Sequence, residues 1–262
     1  MDPVSDKSVL EQLLRRDRTV TLIALLTASL LAWAYLLFGP GMDAQSMSMP
    51  NMVMPMASAW TTSYFALMLA MWGIMMAAMM LPSAAPMILL FTTIERRRRG
   101  TSPFPATTIF AVAYVVVWMG FSGAAILLQW QLDRLAMLSP TMAATSALLS
   151  AIALIAIGAY QFTPWKQACL RNCRSPLEFI TGHWNRGPFG IGFRHGIYCV
   201  GCCWMLMLLL FVGGVMNLLW VALIAAFILA EKTVPRGKWL SYGAGAALIG
   251  WGGWTVYAHV FL

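Results

Sequence analysis

The residues of this chain whose types and spacing could do chemistry are sulfur residues. Cys169 and Cys173 stand four apart in TPWKQACLRNCRSP, and Cys199, Cys202 and Cys203 fall together in IYCVGCCW. Met42, Met47, Met49, Met52, Met54 and Met56 crowd a polar stretch; Met68, Met71, Met75, Met76, Met79, Met80 and Met87 follow in an apolar one. These are 13 of the 20 methionines of the chain. Thiolates and thioethers are soft donors that suit Cu(I), and thiolates also bind Zn(II); neither suits Mg, Ca or Mn. The competing role of Met is adaptable core filler, and that of Cys a small buried apolar residue. A polar stretch has no core to fill, which favours the ligand role for Met47, Met49, Met52, Met54 and Met56.

Helical geometry sorts the remaining sulfurs. At about 100° per residue, Met68, Met71, Met75 and Met79 fall within an arc of about 80°, and Met76, Met80 and Met87 form a second column. The first column reads as a ladder of thioethers ending near Pro82; a helix-packing stripe is the alternative. Thr163 as N-cap and Pro164 as first helical residue predict a short helix, ended by Pro176, with Cys169 and Cys173 on one face. Cys199 and Cys203 share a face, with Cys202 about 60° away. His183 and His195 are possible nitrogen ligands. Glu231 reads either as half of an interfacial charged pair with Lys232 or as the lining of an ion path.

The elements that must position these residues are membrane helices. Hydrophobic residues make up 60% of the chain and charged residues 10%, and the mean hydropathy is +0.74; a soluble domain carries about 25% charged residues. The expected fold is all-α, a polytopic transmembrane bundle of about seven spans near 19–38, 61–91, 105–130, 142–162, 196–212, 218–230 and 239–260, after a polar tail over 1–18. Pro82 and Pro86 interrupt the second span, ERRRRG at 95–100 reads as a basic turn, 163–195 as a polar connection, and GPFGIG at 187–192 as a turn before the fifth span. Spans five and six are short enough that a re-entrant hairpin is the alternative.

With the N-terminus in the cytoplasm, the segments 1–18, 92–104, 163–195 and 231–238 hold every Lys and Arg except Arg134. That asymmetry is the positive-inside signature of the orientation. It places the Met-rich stretch outside and the five cysteines toward the cytoplasm, where structural disulfides are rare. The net charge of +8 is then a topology signal. No RRM, KH or helix-turn-helix pattern accompanies it, so no nucleic-acid partner is expected. No Ser/His/Asp set, H-E-x-x-H motif or P-loop argues for an enzyme.

The motifs MWGIMMAAMMLPSAAPM, TPWKQACLRNCRSP, HGIYCVGCCWMLM, GVMN and AEK, in this order over about residues 60–235, resemble a bacterial family of metal-binding integral membrane proteins built on a domain of unknown function. The resemblance implies a multi-pass protein of the bacterial inner membrane that binds metal, and it says little of mechanism.

The leading expectation is a membrane protein that binds a soft metal ion, Cu(I) before Zn(II), and moves it or hands it over from the outer Met-rich stretch to the inner cysteines. The alternatives are a non-transporting assembly factor or chaperone for a partner metalloenzyme and, behind it, a thiol–disulfide oxidoreductase. Membrane lipids and a metallochaperone or metalloenzyme are the expected partners. The oligomeric state is open, as is whether the two cysteine groups form one site.

Overall fold

A computed structural model of the chain describes residues 3–38, 60–139 and 142–261. The Met-rich stretch, with Met47, Met49, Met52, Met54 and Met56, lies outside the described residues. The rest is helical: α1 (Pro3–Phe38), α2 (Thr62–Arg99), α3 (Phe104–Arg134), α4 (Ala147–Gln161), α5 (Pro164–Arg174), α6 (Pro176–Gly182), α7 (Gly187–Gly213), α8 (Leu218–Thr233) and α9 (Gly237–Phe261). The all-α bundle is as expected.

Several boundaries differ from the sequence reading. The polar tail is the first part of α1, and the basic run Arg96–Arg99 is the last turn of α2, closed by Gly100 in the left-handed conformation (φ 67°). The connection 163–195 is mostly helix, and GPFGIG opens α7. Nor do the prolines break α2. Pro82 has no N–H to give the carbonyl of Ala78, and Ser29 Oγ of α1 donates to that carbonyl instead, at 3.2 Å. A neighbouring helix thereby satisfies the group that the proline frees.

Among the described residues, four helices are long and apolar enough to cross a membrane: Leu10–Phe38, Thr62–Arg99, Phe104–Arg134 and Trp184–Gly213. Ala147–Tyr160 and Pro164–Arg174, bent by 62° at their junction, pass the same test as a pair. Seven spans of this quality are therefore not present among the described residues. The 16 residues of α8 rise only about 24 Å against about 30 Å of hydrocarbon. Glycine and polar residues dilute α9.

Small residues set the helix spacing, as they do where van der Waals contact rather than water drives association. A Cβ on Gly192 of α7 would stand 2.2 Å from the Phe110 carbonyl oxygen of α3, and one on Gly158 of α4 would stand 2.8 Å from the Gly245 carbonyl oxygen of α9. Charge ties other helices. Arg96 forms a two-pronged ion pair with Asp17 of α1, at 2.5 and 2.9 Å. Lys166 of α5 pairs with Glu231 of α8 at 2.7 Å, both side chains fully buried.

Candidate metal-handling site

α5 forms where its caps place it. Thr163 accepts a hydrogen bond from the Lys166 backbone N–H, Pro164 is its first residue, and it ends at Arg174 before Pro176. The helix is amphipathic, and Leu170 and Lys166 are buried. Its cysteine face packs on α7: a Cβ at Gly201 would lie 2.8 Å from Cys169 Sγ, so this glycine makes room for the thiol. One turn further along α5, Cys173 lies beside the Cys202 thiol of α7. The two cysteine groups, 30 residues apart in sequence, meet in space.

The α7 cysteines do not sit at the mouth of a helix, as the expected start at 196 put them. With α7 beginning at Gly187 they lie about three turns in, and all three are buried. Cys202 Sγ and Cys203 Sγ donate to the Cys199 carbonyl at 3.1 and 2.9 Å. Cys199 Sγ lies 3.0 Å from Tyr114 Oη of α3 and 2.9 Å from Lys232 Nζ of α8. Lys232 Nζ also donates to Ser83 Oγ of α2 at 3.0 Å. Ser83 in turn donates to the Met80 carbonyl at 2.9 Å, as does Tyr114 at 3.2 Å. Four helices besides α5 thus converge on Cys199.

The other expected ligands divide. His195, one turn before Cys199, is buried with neither ring nitrogen hydrogen-bonded. Its ring stacks on Tyr114, centroids 5.4 Å apart, and Phe110 and Phe179 complete the surround. An imidazole buried without hydrogen-bond partners costs free energy. His183 is placed otherwise: its Nδ1 is 2.8 Å from the Phe179 carbonyl and its ring packs on Phe179, with no described contact to a cysteine. Glu231 is fully buried, paired with Lys166 and accepting from Ser241. It is neither an exposed interfacial residue nor paired with Lys232.

Met68, Met71, Met75 and Met79 are all buried against other helices, as are Met76, Met80 and Met87. The stripe faces protein and not lipid, an arrangement that both a relay and a packing seam require. Beyond its lower end, α2 connects to Cys199 through Ser83 and Lys232 and through the Met80 carbonyl and Tyr114. Its upper end meets Gln129 of α3, whose amide donates to Met68 Sδ at 3.9 Å and to Met142 Sδ at 3.2 Å.

Sequence reasoning missed Tyr114, Ser83, Gln129, Met142 and the inward direction of Lys232. A polar residue within an apolar run was the available signal, but periodicity does not say which residue of another helix it meets.

Among the described residues no group of three or more His, Cys, Asp or Glu side chains is arranged as a metal centre. Cys202 and Cys203 direct their thiols at the Cys199 carbonyl of their own helix. The donors themselves, Cys173 beside Cys202, three thiols within about one turn of α7 and an imidazole without a hydrogen-bond partner one turn before them, suit Cu(I) by softness.

No curated protein and no solved structure matches the chain significantly. The sequence profile of the PpoB2 family, described as copper chaperone, matches residues 69–255. That range includes α2 from its first turns, both cysteine groups and Lys232, which agrees with a metal-related domain and a copper-related chaperone or assembly role. The chain belongs to the PpoB2 copper chaperone family.

Proposed function

We propose that this chain is a membrane copper chaperone that holds Cu(I) as cargo on Cys173, Cys199, Cys202 and Cys203 and passes it to a partner metalloenzyme. The observation that carries the reading is the approach of Cys173 on α5 to Cys202 among the buried cysteines of α7. Thiolates are the strongest soft donors in the chain. Lys232 and Tyr114 orient the Cys199 sulfur and supply positive charge and a hydroxyl beside it. His195 is the reserve nitrogen ligand. Met68, Met71, Met75 and Met79 form the route by which the ion reaches the cysteines, thioether to thioether and then to thiol, with affinity rising along the way. In the positive-inside orientation the route runs from the outer face toward the cytoplasmic half. Glu231 acts in this scheme by holding α5 against α8 through Lys166.

The test is an anaerobic Cu(I) titration of the purified chain against a competing chelator, with C173S/C202S beside it. The wild type holds one Cu(I) tightly, and the double variant loses at least tenfold in affinity. Equal affinity in both refutes the cysteine site. The family description favours delivery to a protein over net flux: liposomes containing the chain then accumulate no copper unless an acceptor protein is present.

A further inference from the structure

At the other end of the thioether column the same helices make a second sulfur cluster. Gln129 is buried in α3, on a helix apolar and long enough to cross a membrane. A polar side chain in such a setting costs free energy and finds partners inside the bundle. Its Oε1 accepts from Trp72 Nε1 of α2 at 2.7 Å. That bond fixes which way the amide faces. Both N–H directions are then spent on thioether sulfurs, Met68 Sδ at 3.9 Å and Met142 Sδ at 3.2 Å. Sulfur is a weak acceptor, so a glutamine there is a poor choice for stability alone. What the arrangement does is hold two thioethers from distant segments within 3.9 Å of one atom.

Met142 is held with the same care. Its backbone is left-handed, φ 56°, a conformation that non-glycine residues adopt at a cost and keep when the surroundings impose it. Those surroundings are visible. Met142 N–H donates to the Ser139 carbonyl at 2.8 Å, Thr145 N–H to the Met137 carbonyl at 2.9 Å, and Ala144 N–H to the Phe211 carbonyl of α7 at 2.7 Å. Residues 142–145 are thereby pinned to the end of α7, with Met142 Sδ against the Gln129 amide.

We infer that Met68 and Met142, oriented by Gln129, form a separate low-affinity entry site for a soft monovalent cation, Cu(I) or Ag(I), at the head of the thioether column. This rests on the proposed copper function and deepens it. Each thioether sulfur carries two lone pairs. The amide takes one from each sulfur, and the other remains for the ion. Neutral sulfur donors bind a d¹⁰ monovalent ion without adding charge to the bundle, and they exclude Zn(II), which prefers thiolate, imidazole and carboxylate. Gln129 is a positioning residue and not a ligand. The next buried thioether down the column, Met71, is one turn closer to the cysteines than Met68.

The experiment uses the full chain in detergent micelles, labelled with [methyl-¹³C]methionine and titrated with Ag(I), then with Cu(I) under anaerobic conditions. M68L and M142L, which conserve volume, assign the two methyl resonances. The expected result is that both resonances shift together in the wild type, on one binding curve, and that Zn(II) moves neither. In Q129L they titrate separately, with half-saturation raised about tenfold. The response also persists in C199S/C202S, which separates this site from the cysteine site. If the cysteines bind no copper, the Met68 and Met142 resonances still report on the entry site. Two resonances that stay in place, shift at unrelated concentrations, or respond equally to Zn(II) overturn the inference.

Discussion

Removing the ammonium of Lys166 tests whether the α5–α8 ion pair holds the cysteine site together. Lys166 Nζ and Glu231 Oε1 are 2.7 Å apart, both side chains at 0% exposure. The second carboxylate oxygen, Oε2, already lacks a hydrogen-bond partner. In K166M the carboxylate keeps only Ser241 and stays buried. Breaking a buried pair from one side costs about 3–5 kcal/mol, because it leaves a charge without compensation. For a chain of this size that is a fall in melting temperature of roughly 6–20 °C. Removing both charges, in K166M/E231L, is neutral or even stabilising on the same grounds, so the double variant recovers most of the loss. The assay is thermal unfolding of the purified protein, followed by a thiol-reactive fluorophore that reads exposure of the buried cysteines. The site adds a second readout: Cu(I) affinity falls in K166M and returns in the double variant, because α5 carries Cys173. A K166M protein that melts within about 1 °C of wild type refutes the reasoning, as does a double variant no better than the single.

Other outcomes follow from the same geometry. S29A leaves the Ala78 carbonyl without its donor and destabilises by about 1–3 kcal/mol; in a P82A background the restored backbone N–H removes that penalty, measured as a double-mutant cycle in thermal unfolding. G192A drives a methyl to within 2.2 Å of the Phe110 carbonyl oxygen, so α3 and α7 must separate and stability falls by about 1–3 kcal/mol; G120A, with nothing within 4 Å of its Cβ, melts close to wild type. C173S lowers Cu(I) affinity more than C169S does, since Cys173 lies beside Cys202 whereas Cys169 rests on Gly201; equal losses in chelator competition contradict the assignment. K232M weakens Cu(I) retention by removing the cation 2.9 Å from Cys199 Sγ; an unchanged competition curve counts against the role given to Lys232.

Much of the helical framework was legible because it depends on local chemistry. Thr61, Ser146, Thr163 and Asn217 each cap a helix through their own side chain. Hydropathy identifies α1, α2, α3 and α7 as membrane-length segments. The short helix bearing Cys169 and Cys173 followed from Thr163, Pro164 and Pro176. A polar stretch need not be a loop: α5, within 163–195, is polar on one face and hides its apolar face against α7. Glu231 and Lys232 are adjacent in sequence, yet consecutive helix residues point about 100° apart. One reaches Lys166 and the other Cys199.

By itself the sequence determined composition, helix content, the positions of caps and prolines, and the inventory of soft donors on particular helix faces. Each of these is a property of residues within a few positions of one another. Tertiary structure decided which donors share a space. It set Cys173 beside Cys202 and Lys232 and Tyr114 on Cys199, left His195 without hydrogen-bond partners, and brought Met142 to Met68 through Gln129. Periodicity tells which face of a helix a residue occupies. Which other face it meets depends on close approach at residues such as Gly192 and Gly201 and on buried pairs such as Lys166–Glu231, interactions whose partners lie far apart in the chain.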